Sequence, residues 1–178
     1  KDGILKSTNN GDNWEFVNNG LTNLSISSIK SSGTNLFAST LGGGVFMSSN
    51  NGTSWIAINN GLARLTVLDI FLSNTRMFAG SGEAGIFYST NNGSNWYDLN
   101  VKLALIYFTS MTSNNFYMFA SVHDGFFRSS DHGITWEFSD RGFKNYTPRA
   151  LTVKDNMIFS GTENLGGVFR SFDNGLNW

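Results

Sequence analysis

The chain has five tryptophans, and each closes the same eight-residue pattern, which returns every 40 to 42 residues. The copies run Ser7 to Trp14, Ser48 to Trp55, Ser89 to Trp96, Ser129 to Trp136 and Ser171 to Trp178. A period this regular implies one supersecondary unit stacked several times, which constrains the architecture before any other residue is read. It also assigns the most visible residues to building the fold.

Each octet position has a predicted task. The third residue (Asn9, Asn50, Asn91, Asp131 and Asp173) is a side-chain acceptor for backbone N–H groups two residues on, as in an Asx turn. The fifth (Gly11, Gly52, Gly93, Gly133 and Gly175) supplies a positive φ. The tryptophan (Trp14, Trp55, Trp96, Trp136 and Trp178) enters a strand and buries a large ring whose indole N–H needs an acceptor.

Outside the octet, three more strand signals recur. A run anchored by Ile29, Ile70, Met111 and Leu151 comes first, and a strand carrying Phe37, Phe78, Phe119 and Phe159 follows. Next is a short apolar strand such as Gly44-Val-Phe46 or Gly85-Ile-Phe87. With the strand that begins at the tryptophan, each period holds four short strands, called A to D, separated by turn formers. No long window has helical periodicity. The expectation is an all-β β-propeller of four-stranded antiparallel blades, about four of them, forming a single array over 1–178. Complete blades are expected near 23–60, 64–100 and 104–140, with partial blades at 1–18 and 147–178. Starting at Lys1 and stopping at Trp178, the chain reads as a segment of a larger propeller with neighbouring blades. The alternative is a closed four-blade ring in which the strand from Trp14 to Val17 completes the last blade.

The pattern Ser-x-(Asp/Asn)-x-Gly-x-x-Trp resembles the Asp-box, or BNR, repeat. Asn9, Asn50 and Asn91 stand where that family prefers Asp, so capping is kept and charge is not. The even period and the Asn-Asn-Gly octets look most like exported bacterial repeat proteins related to photosystem II stability/assembly factors and to sortilin-type ectodomains. The resemblance implies a secreted or cell-surface bacterial protein, a non-catalytic scaffold that binds a protein or glycan, and no cofactor. The alternative is a fragment of a secreted glycoside hydrolase, glucanase-like or sialidase-like. A pure structural spacer is a third class.

Composition narrows these options. A net charge of −1 with 14% charged residues offers no basic stripe for nucleic acid. No apolar stretch is long enough to span a membrane as a helix. The absence of cysteine leaves redox compartment open. Two histidines, with His132 read as buried inside an octet, provide no metal site.

The candidate contact residues lie in the B-to-C and D-to-A loops, at the opposite end of a blade from the octets. The longest connection carries Arg141, Phe143, Lys144, Tyr146 and Arg149, a mix of cations and aromatics expected at the surface, with His123 in a neighbouring loop. Glu83, Asp124 and Glu163 recur at related positions and are the weak catalytic candidates, since paired carboxylates can hydrolyse glycosides. Solvated acids that keep the rim soluble are the simpler reading. Arg128 and Arg170 read as a solvated strand position, and Arg76 as an A-to-B turn residue, so the arginine cluster of a sialidase is not assembled. The sequons at Asn23, Asn51, Asn92 and Asn145 are read as by-products of turn chemistry.

Overall fold

The computed structural model describes residues 2–73, 76–82, 84–99, 107–123, 125–143, 146–163 and 166–178. Glu83, Asp124 and Lys144, three of the candidate residues, lie outside the described residues.

Short strands separated by turns are the whole of the regular structure described. The first pair is β1 (Leu5–Lys6) and β2 (Glu15–Phe16). The next sheet is β3 (Ile26–Ser32), β4 (Asn35–Thr40), β5 (Gly44–Ser48) and β6 (Ile56–Ala57). It is followed by β7 (Val67–Leu72), β8 (Met77–Ser81), β9 (Gly85–Ser89) and β10 (Tyr97–Asp98). Then come β11 (Phe108–Ser113), β12 (Met118–Val122), β13 (Gly125–Ser129) and β14 (Glu137–Phe138). The last three are β15 (Pro148–Lys154), β16 (Met157–Thr162) and β17 (Val168–Ser171). Strands pair only with their neighbours in sequence, giving three four-stranded meanders flanked by a two-stranded and a three-stranded sheet. This is an all-β protein of blade-like antiparallel sheets.

The chain forms two compact units. The first, Lys1–Ser81 with Phe87–Asp98, contains β1 to β8 and β10. The second, Gly82–Ile86 with Leu99–Trp178, contains β11 to β17.

Burial explains the sequence of each strand. The two middle strands of a sheet are covered on both faces: β8 and β12 are buried along their whole length. They therefore read as unbroken runs of Phe, Met, Ala and small residues, without polar alternation. The fourth strands β6, β10 and β14 are two residues long and exposed at both. An edge this short offers little unpaired backbone for unwanted strand addition. The anchor Ile70 is fully buried and Met111 nearly so, whereas Ile29 is 46% exposed. In the first unit Ile4, Ala38, Phe46 and Trp55 form one core cluster. In the second, Phe126 stacks on Trp178 at 4.1 Å and meets Phe143 edge-on at 4.5 Å.

The octets lock themselves in a way the sequence only partly predicted. Ser48 Oγ donates to Asn50 Oδ1 at 2.9 Å and accepts the N–H of Gly52 at 2.9 Å. Asn50 Oδ1 accepts the N–H of Ser54, four residues on rather than the expected two. The same set recurs at Ser7, Ser89, Ser129 and Ser171. Left-handed backbone is needed at two successive residues, since Asn10, Asn51, Asn92, His132 and Asn174 have φ of 55° to 60° ahead of the glycine. Asparagine tolerates that region better than other non-glycine residues, which accounts for the Asn-Gly pairs. His132 is exposed in this turn, not buried as expected.

Adjacent sheets within a unit are fastened through the octet tryptophan. The Trp55 N–H donates to Asn19 O at 2.8 Å and its Nε1–H to Val17 O at 2.8 Å. Trp96 repeats this on Asn60 O at 2.8 Å and Ile58 O at 2.7 Å. Trp178 does so on Arg141 O at 2.9 Å and Ser139 O at 3.3 Å. The Nε1–H groups of Trp14 and Trp136 instead donate within their own octets, to Gly11 O and Gly133 O. The clasp needs glycine: a Cβ on Gly61 (φ 90°) would collide with the carbonyl oxygen of Trp96. Gly61→Ala is expected to cost about 2–4 kcal/mol, from backbone strain plus that collision. Gly33, also at positive φ but in open space, should cost only about 1–2 kcal/mol as alanine. Equal losses in urea unfolding of the two variants would contradict the clasp.

Candidate functional site

The site begins with a bulge in the first strand of the three four-stranded sheets and of the three-stranded one. Register shifts fall between Ile26 and Ser28, Val67 and Asp69, Phe108 and Ser110, and Pro148 and Ala150. A bulge re-aims the extra residue relative to the regular pleat. Ser27 uses it to reach Ser39 Oγ at 2.9 Å and Val67 O at 2.6 Å, and Thr109 to reach Ser121 Oγ at 2.7 Å. In β15 the bulge residue is Arg149, which carries a long cation where Ser27 and Thr109 have hydroxyls and Leu68 an alkyl chain. Pro148 starts that strand, where its missing N–H is tolerated.

Arg149 Nε donates to Glu163 Oε2 at 2.7 Å. That hydrogen bond raises the arginine pKa; desolvation opposes it, and the charges of Glu163 and Tyr107 add to it. Glu163 is placed by its own N–H bond to Thr147 O at 3.1 Å, and His123 by the equivalent bond to Tyr107 O at 2.9 Å. Tyr107 is 45% and Tyr146 38% exposed. The Tyr146 ring rests against Phe169 at 5.2 Å. The result, at one end of the second unit, is a charged pair with exposed tyrosines and the exposed His123 on the connecting loops.

The remaining candidates separate from this group. Phe143, expected at the surface, is 2% exposed and packs on Phe126, Phe169 and Trp178. It sits at the repeat position of Leu21 and Leu62, so its ring is core. Arg141 occupies the clasp position of Asn19 and Asn60 and lines a shallow cleft of about 330 Å³ with Asp140 and Asn177. Arg128 is no solvated strand residue. Its Nε donates to Glu137 at 2.6 Å, its Nη1 donates to Asn174 O at 3.1 Å, and its side chain is 11% exposed. Among the described residues no group of His, Cys, Asp and Glu is arranged to hold a metal ion. Tyr107 was missed in the sequence because its place just before a first strand is held elsewhere by Ser25 and Thr147, which carry no contact signal.

Electrostatics distinguish the two aspartate octets from the asparagine ones. Desolvation pushes Asp131 upward. Hydrogen bonds from the Thr135 hydroxyl, the Thr135 and Ile134 N–H groups and Ser129 together outweigh it, lowering the pKa to about 2. Asp173 is lowered in the same way, against desolvation, by Asn177 and Ser171.

The sheets are the blades of a β-propeller, and residues 127–138 match the BNR/Asp-box repeat. The chain thus carries a BNR/Asp-box repeat, and its other four octets share that pattern. No curated protein matches it in sequence. Among solved structures it is similar to the extracellular domain of BT4673, a one component system protein from B. thetaiotaomicron. That likeness has a TM-score of 0.78 and 14% identity, covering 97% of this chain and 24% of the other. It is similar also to an ancestral GH74 enzyme, with TM-score 0.73 and 20% identity over 90% of this chain and 24% of that one. YCF48 bound to D1 peptide gives TM-score 0.73 and 17% identity, over 98% and 59%. This chain spans about a quarter of the first two. At these identities the likeness is one of fold.

A carboxylate with a depressed folded-state pKa contributes stability that is fully present above its unfolded value and is lost as pH falls toward the folded one. Asp131 and Asp173 should therefore lower the melting temperature between about pH 4 and pH 2. The double variant Asp131→Asn, Asp173→Asn is expected to show a flatter acid limb. An unchanged limb would show that these caps carry no linked charge.

Proposed function

We propose that the chain is a non-catalytic repeat scaffold that binds a protein or glycan through the loop end of its second unit, with Tyr107, His123, Tyr146 and Arg149 as the contact residues. The observation that carries this reading is the state of Glu163. It is the one weak catalytic candidate among the described residues, and Arg149 holds it in a 2.7 Å ion pair. A carboxylate whose oxygen is already held by a guanidinium is not open to a substrate at that oxygen. Exposed tyrosines beside an arginine are the side chains that dominate recognition surfaces. Arg141, Lys144 and Phe143 are not assigned to this surface: the first belongs to the clasp and the last to the core.

The fold neighbours support both parts of the proposal. YCF48 is seen bound to a peptide, and the BT4673 neighbour is an extracellular domain, in keeping with a secreted or cell-surface location for this chain. The GH74 likeness keeps a glycoside-hydrolase fragment as the alternative. The two separate in one experiment: incubate the chain with soluble β-glucan oligosaccharides and peptides, and measure binding and reducing-end release together. Binding without release, weakened at least tenfold in the Tyr146→Ala, Arg149→Ala double variant, is expected. Reducing-end release that Glu163→Gln abolishes would overturn the proposal.

A further inference from the structure

Two neighbouring repeats contain the same cation–aromatic contact with its members exchanged. In the β11–β14 sheet, Arg128 of β13 lies over the Tyr117 ring at 5.1 Å. In the β7–β10 sheet the arginine, Arg76, takes the position of Tyr117, and Tyr88 of β9 takes that of Arg128. The Arg76 guanidinium lies 4.9 Å from the Tyr88 ring centre.

The surroundings of the two arginines differ in one respect. Arg128 is neutralised by Glu137 and bonded to the Asn174 carbonyl. The position of Glu137 is held in the other sheet by Tyr97, whose ring packs on Tyr88 at 5.6 Å. The Arg76 guanidinium has neither an ion pair nor a hydrogen bond among the described residues, although the residue is half-buried. The Arg76 main chain is pinned by Ser73, whose Oγ accepts its N–H at 3.1 Å and donates to its carbonyl at 3.0 Å. The side chain borders a polar cleft of about 190 Å³ that Ser32, Thr90 and Asn92 also line.

We propose that this cleft is an oxyanion site that takes the carboxylate or sulfate group of a small anion. A guanidinium held over an aromatic ring retains N–H donors for contact with an anion. Ser32, Thr90 and Asn92, which line the cleft, carry further donor groups. A half-buried cation with no ion pair or hydrogen bond among the described residues gains from an incoming anion. The cleft is smaller than the roughly 300 Å³ of a drug-sized pocket, so it suits one charged group or one sugar ring. It shares no residue with the proposed loop-end surface and stands independently of it.

The test is a side-chain and amide NMR titration of the 15N-labelled chain at fixed ionic strength with three probes: sodium glucuronate, sodium sulfate and glucose. Saturable shifts of Arg76 Nε–H and of the Thr90 and Asn92 amides with either anion, and none with glucose, are expected. A tighter fit to glucuronate than to sulfate would assign the carboxylate as the preferred group, and the reverse order the sulfate. Arg76→Gln should abolish the response while the Arg128 signal stays in place. Arg76→Lys, which keeps the charge and the Ser73 turn, should weaken it several-fold and covers the case of a poorly folded glutamine variant. Shifts that rise linearly, spread equally over Arg64 and Arg141, or survive in both variants would overturn the site.

Discussion

Each fastened octet tryptophan gives two N–H groups, one from the backbone and one from the indole, to the segment that ends the preceding repeat. Trp55 and Trp96 do this with almost identical distances on acceptors 36 and 38 residues earlier. The arrangement explains three sequence features together. The period must stay near 41 residues, because the acceptors are main-chain carbonyls at a fixed place after the previous tryptophan. The Asn-Gly pairs after the fourth strands must keep glycine, because the next tryptophan's backbone leaves no room for a Cβ. The rings themselves must be large, because they fill the space the clasp encloses. A two-residue fourth strand could not hold a sheet in place alone; the clasp makes up the difference within each unit.

The octet is the rigid end of this device, and it depends less on charge than the Asp-box pattern suggests. Serine and the third-position oxygen satisfy the same N–H groups whether that residue is Asn50 or Asp131. Where Asn50 Nδ2 donates to the Ser54 hydroxyl, the aspartates present a second, charged oxygen that accepts from the side chain of Thr135 or Asn177. The titratable carboxylate confers a pH response on the second unit's octets and leaves those of Asn9, Asn50 and Asn91 without one.

The four-strand repeat, its strand order and the turn glycines were legible because periodicity and turn chemistry are local. The site was legible only in part. Arg149 and Tyr146 stood out as a cation and an aromatic in the longest connection, and both are exposed beside Glu163. Phe143 stood in the same connection and is buried, because one step of repeat alignment places it with Leu21 and Leu62. Arg128 was misjudged for a related reason: its partners Glu137 and Asn174 are 9 and 46 residues away, and no window pattern links them. The bulges that aim Ser27, Thr109 and Arg149 leave no mark in composition.

Hydrogen exchange at the five indole N–H groups tests the clasp most directly. The protons of Trp55 and Trp96, both 3% exposed and bonded to the preceding repeat, should exchange as slowly as the amides of β4 and β8. That of Trp14, 60% exposed and bonded within its own octet, should be lost orders of magnitude sooner. Indoles that all exchange at one fast rate would contradict the claim that the tryptophans join the blades.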